Sequence, residues 1–155
     1  MKNSIENNLK KHNVILPQPP IPVAGYVPFV ITGKLIFISG QVCFIGQDQS
    51  LKGKLGANLT TEQGYQAARN ATLNAIAHLK SACKGDLEIV KKCVNIRVLI
   101  ACTSDFIDHP KVGNGASDLI SDIFGIAGPH SRAAVGCSSL PLDCAVEVES
   151  IWEIL

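Results

Sequence analysis

Charge of one sign is what this 155-residue sequence has least of: 14 Lys and Arg stand against 13 Asp and Glu, a net charge of +1. No basic run or stripe is present, and Lys10-Lys11 and Lys91-Lys92 are isolated doublets. The electrostatic footprint of a nucleic-acid binder is therefore missing, and no nucleic-acid partner is expected. Uninterrupted apolar runs of membrane-spanning length are missing too, so no membrane partner is expected. There is no CxxC pair among Cys43, Cys83, Cys93, Cys102, Cys137 and Cys144, and no His stands at zinc-ligand spacing from them, so no metal site is expected. The first thirteen residues are polar, without the apolar core of a signal peptide. The cysteines then read as free, buried thiols in a reducing compartment, and the expected location is cytoplasmic. Gly53-Lys54-Leu55 lacks the Ser or Thr of a phosphate loop, and Gly113-Asn114-Gly115 lacks the third glycine of a dinucleotide loop.

What is present fits one domain, 1–155, with 46% apolar and only 17% charged residues. So little charge suggests that subunit contacts cover part of the surface. Residues 1–22 read as a short helix from Ser4 to Lys11, then a proline-rich extended entry, Leu16-Pro17-Gln18-Pro19-Pro20-Ile21-Pro22. Val27 to Ile31 and Lys34 to Ser39 predict a hairpin about Thr32-Gly33. Gln47 to Asn58 reads as a loop. Thr60-Thr61-Glu62-Gln63 has capping-box spacing and predicts a helix to about Cys83, with Ala68, Ala71, Ala75 and Leu79 on its buried face. Glu88 to Ala101 predicts a long strand, with Val94, Ile96, Val98 and Ile100 on one side. Val112 to Phe124 predicts a second long helix. Two strands follow, Ser131 to Ser138 and Cys144 to Ile154. The order implies an α+β fold, two helices on one face of a mixed sheet. No further helix remains to cover the other face.

Arg132 opens a strand otherwise made of small and apolar residues. Its planar fork suits a carboxylate, from a ligand or from an internal glutamate. Glu147, between Val146 and Val148, is expected in the strand that pairs with Arg132's. It is a general base or simply a counter-ion. Tyr26 precedes a strand, and Ser39-Gly40-Gln41 ends one and could offer backbone N–H groups to a ligand. His109 and His130 have no triad or metal partners in sequence.

These pieces resemble the Rid/YjgF family, also called endoribonuclease L-PSP, from about Gly25 to Trp152. The most specific stretch is Arg132-Ala133-Ala134-Val135, then Leu140-Pro141, then Val146-Glu147-Val148-Glu149; Tyr26 and Ser39-Gly40-Gln41 match as well. The resemblance implies a chorismate-mutase-like fold and a homotrimer with a barrel-like centre. It implies sites in clefts between subunits and no cofactor. Arg132 would hold the carboxylate of a 2-imino acid, Glu147 would help position the attacking water, and Tyr26, Ser39, Gly40 and Asn114 would line the pocket. The products would be a 2-keto acid and ammonia. Two departures stand out. Asn114-Gly115-Ala116-Ser117 lacks the tyrosine of the family's Asn-x-x-Tyr, and Ala134 replaces a cysteine common in the family. A non-catalytic binder of small carboxylates is the alternative, and the ribonuclease named in the family's title ranks last.

Overall fold

The computed structural model describes residues 4–21 and 25–155. Its elements are α1 (Ile5–Lys11), β1 (Phe29–Thr32), β2 (Leu35–Val42), α2 (Thr61–Ala82), β3 (Val90–Ala101), α3 (His109–Phe124), β4 (Ser131–Cys137) and β5 (Val146–Ile154). The fold is α+β, and the five strands form one mixed sheet in the order β1-β2-β5-β3-β4. Only β3 and β4 run parallel. Helix α3 is the crossover that a parallel pair requires. None of the described helices is long and apolar enough to cross a membrane.

Helix α2 begins as the sequence predicts. Thr60 is its N-cap, and Thr60 and Gln63 exchange both bonds of the capping box. Ala68, Ala71, Ala75 and Leu79 are all buried against the sheet. Small residues also set the spacing between the two long helices: a Cβ on Gly115 of α3 would overlap the Tyr65 carbonyl of α2. Helix α3 starts three residues earlier than expected, at His109, with Pro110 in its first turn, where a missing N–H costs nothing. Both α2 and α3 lie on one sheet face. The third helix, α1, is capped by Ser4 and packs on α3, where Asn8 Nδ2 donates to the Ile123 carbonyl at 2.9 Å. Of the proline-rich entry, Pro22 lies outside the described residues.

Two bulges correct the simple alternation. An extra residue in β3 between Cys93 and Asn95 turns Cys93, not Val94, into the core opposite Trp152. In β2 the register shifts between Ile38 and Gln41, so Ser39-Gly40 lies inside a strand that continues to Val42.

Directly opposed residues share a face, so the register sorts the sheet. One cross-strand row is Ile38, Ser150, Ile96 and Arg132, another Gln41, Val148, Val98 and Ala134. Both rows face the helices. The opposite face carries Val30, Phe37, Ile151 and Asn95, with Val42, Glu147, Leu99 and Val135 at one end. Val30, Phe37 and Val135 are exposed there, and no described element of this chain covers them.

Candidate functional site

Arg132 sits on β4, an edge strand, and its side chain crosses towards α3. Nη1 donates to Asn114 Oδ1 at 2.9 Å and Ser117 Oγ at 3.0 Å, and Nη2 to the Pro110 carbonyl at 3.5 Å. Gly113 allows this approach, since a Cβ there would lie 3.3 Å from the guanidinium carbon. Every partner is a neutral oxygen. Among the described residues Arg132 forms no ion pair, and Glu149 pairs instead with Arg97 at 3.0 Å. The internal-glutamate reading of Arg132 therefore falls. Of five guanidinium N–H groups, Nε–H and one on Nη2 keep no described partner.

Behind this clamp stands a second link. Ser117 Oγ lies 3.0 Å from His130 Nε2, and His130 Nδ1 lies 2.6 Å from the Gly128 carbonyl. A carbonyl only accepts, so Nδ1 carries a proton. In the neutral ring Nε2 then accepts from the Ser117 hydroxyl. Ser117, which stands at the tyrosine position of Asn-x-x-Tyr, is not among the expected site residues. Its position three residues after Asn114, on the same helix face, is the signal that could have found it.

Glu147 lies on the open face, in a groove of about 240 Å³ lined in part by Tyr26, Gly40, His78, Pro141 and Leu142. The bulge in β2 makes room for it: a Cβ on Gly40 would overlap the Glu147 carboxylate. That carboxylate has no hydrogen-bond partner among the described residues. Burial, and secondarily the charge of Glu149, pushes its pKa above the ordinary carboxylate value. His78, unflagged by the sequence, is buried in α2 and lines the groove together with Pro20 of the proline-rich entry; burial lowers its pKa. Ser39 is not free to greet a ligand. Its hydroxyl donates to the Val27 carbonyl at 2.7 Å and its N–H to the Pro28 carbonyl at 3.0 Å.

The candidate residues thus gather into two groups. Asn114 joins Arg132 beside α3; Tyr26 and Gly40 join Glu147 on the open face. The expectation that Arg132 and Glu147 occupy paired strands is wrong. β3 lies between β4 and β5, and the two side chains leave opposite faces of the sheet. Within one chain they cannot meet on a small molecule. The expected free thiols are observed, with Cys43, Cys83, Cys93 and Cys144 buried and Cys102 and Cys137 partly so.

Comparison with known proteins fits this architecture. The profile of the YjgF/chorismate-mutase-like endoribonuclease family matches residues 6–153. Protein TCP17 of Trypanosoma cruzi is 37% identical over 148 residues, 95% of this chain and 92% of that protein. The crystal structure of Atu1372 from Agrobacterium tumefaciens, of unknown function, superposes with a TM-score of 0.91 at 35% identity, covering 97% of this chain and 92% of that one. A 2-iminobutanoate/2-iminopropanoate deaminase of Dermatophagoides farinae is 25% identical over 142 residues, 91% of this chain and 94% of that protein. With nearly its whole length matched, the chain belongs to the YjgF/chorismate-mutase-like family.

Proposed function

We propose that this protein hydrolyses reactive 2-imino or enamine acids to 2-keto acids and ammonia, as a homotrimer with sites between subunits. The observation that carries the reading is the state of Arg132. Its guanidinium is held in place by neutral oxygens only, so its charge is unspent and two N–H donors on adjacent nitrogens remain. A carboxylate accepts such a pair of bonds. The Dermatophagoides relative, named for 2-imino acids, supports that substrate class. Glu147, unpaired among the described residues and half-buried, is the base that takes a proton from the attacking water. Because it leaves the opposite sheet face, the Glu147 that serves a given Arg132 comes from a neighbouring copy. No cofactor enters the reaction. Six free thiols suit a reducing cytoplasm.

The uncovered face with Val30, Phe37 and Val135 supports the assembly, since apolar side chains of this size favour burial against a partner. Sedimentation equilibrium should give three times the 16.5 kDa chain mass. A stable monomer at assay concentrations would remove the inter-subunit site.

The clamp is tested by calorimetry. Losing a charged hydrogen-bond partner costs roughly 1.5–3 kcal/mol, so Arg132→Ala should weaken 2-ketobutyrate binding by about 10- to 150-fold. Undiminished affinity would show that the carboxylate binds elsewhere. A non-catalytic binder remains the second reading, because the clamp is complete in one chain while Glu147 is remote from it. Such a binder would lose affinity in Arg132→Ala and hydrolyse no imine above the spontaneous rate.

A further inference from the structure

A 2-imino acid carries its side chain on the same carbon that water attacks. The walls around the base that activates the water therefore meet that side chain too. We infer that the groove around Glu147 receives the substrate's side chain, and that Ile21 and Leu142 select 2-imino acids with larger aliphatic side chains over the methyl-bearing one. The inference rests on the deaminase reading and names its substrate class.

The first observation is the lining of the groove. Its volume is about 240 Å³, and Pro20, Ile21, Val42, Pro141 and Leu142 line it beside Glu147. A methyl group would leave most of that space to water. A four-carbon aliphatic chain would displace the water and bury its own apolar surface against these walls. The clamp offers the side chain no comparable surroundings. There Arg132 meets Asn114 Oδ1, Ser117 Oγ and the Pro110 carbonyl, all polar atoms. With the carboxylate on Arg132 and the C=N carbon beside Glu147 of the neighbouring copy, the apolar end of the ligand falls in the groove.

The second observation is exposure. Ile21 and Leu142 are 86% and 60% exposed, although both line the groove. They come from segments far apart in sequence, the proline-rich entry and the turn Pro141–Asp143 that leads into β5. Folding brings two large apolar side chains to one site and leaves both in water. A ligand that covers them supplies the burial that folding does not. The third observation is the backbone under Leu142. It has φ 58° and ψ 19°, and Asp143 after it has φ 60°. Glycine or asparagine takes this left-handed conformation readily, whereas a leucine is strained in it. Core burial does not offset that strain, because Leu142 is exposed. Strain of this kind gathers at ligand sites, and here it sets an apolar side chain on the wall of a groove that holds an unpaired carboxylate.

The experiment uses the assembled protein. Calorimetry measures its affinity for pyruvate and 4-methyl-2-oxopentanoate, the keto products of the methyl and isobutyl imines. Hydrolysis of both imines, generated in situ by an amino-acid oxidase, is followed in parallel. Each buried methylene is worth about fourfold in affinity and the two acids differ by three, so the longer one should bind about 10- to 60-fold more tightly. The same preference should appear in kcat/KM. Leu142→Asn removes the apolar wall and suits the left-handed turn, so its Tm should match or exceed that of wild type. It should reduce the ratio of the two affinities at least threefold, and Ile21→Ala, at an exposed position, should do the same. Equal affinities with both imines hydrolysed overturn the inference and leave the deaminase reading standing. A preference unchanged in both variants also overturns it, because the side chain then binds elsewhere. The expected preference without hydrolysis of either imine supports the groove as a side-chain site and overturns the deaminase reading. A protein that neither binds the two acids nor hydrolyses the imines overturns both.

Discussion

Glu147→Gln is expected to cut imine hydrolysis by about 10²-fold or more, with 2-keto acid affinity held within a few-fold. Glutamine keeps the shape in the groove beside Gly40 and cannot take a proton from water. The carboxylate it replaces has no hydrogen-bond partner among the described residues, so the change breaks no observed bond. Burial raises the Glu147 pKa, with Glu149 adding to the effect. The base must be ionised to act, so the acid limb of the wild-type rate profile should lie above the ordinary glutamate value of about 4.3. That limb should vanish from the residual activity of Glu147→Gln. The sign for stability runs the other way. A folded-state pKa above the unfolded one means the native protein binds the extra proton, so stability falls as pH rises from the unfolded value through the raised one. Glu147→Gln removes that loss and should be at least as stable as wild type at neutral pH. A drop in turnover therefore cannot come from unfolding. Wild-type turnover in Glu147→Gln would eliminate the glutamate as base and leave water activation to another group.

Much of this architecture was legible because local physics decided it. Thr60 and Gln63 satisfy helix donors wherever the helix goes, and the alternation from Val146 to Trp152 separates core from outer face in any sheet. Strand order is different in kind. Nothing between Arg132 and Glu147 announces that β3 inserts between their strands, because β3 lies far upstream and pairs with both. Both bulges were hidden for a related reason. One extra residue flips every later side chain, and its position depends on the partner strand's register. That is why Cys93 took the place expected for Val94. The site residues fared according to chemistry. An arginine among small residues and a glutamate between valines stand out alone, whereas Ser117 acquires meaning only when Arg132 and His130 are brought to it.

Trp152→Ala should be the most destabilising single truncation, at about 3–5 kcal/mol for loss of a buried large aromatic. Trp152 is fully buried on the helix-facing side of β5, opposite Ile36 of β2 and Cys93 of β3. Its ring lies 4.7 Å from that of Phe124, at the end of α3. It thus joins the middle strands to the last turn of α3. Truncation leaves a cavity that neighbours from three strands and a helix cannot close together. It also strands a polar group, for Trp152 Nε1 donates to the buried Ser150 hydroxyl at 2.9 Å. At roughly 2–4 °C per kcal/mol for a chain of this length, Tm should fall by about 6–20 °C. Phe37→Ala provides the contrast. Phe37 lies on the face this chain leaves open, so its loss should act chiefly on assembly and grow as the protein is diluted. The Trp152 effect should persist at every concentration at which the assembly is intact. A Trp152→Ala protein melting within about 2 °C of wild type would mean the sheet and α3 are not held together through this contact.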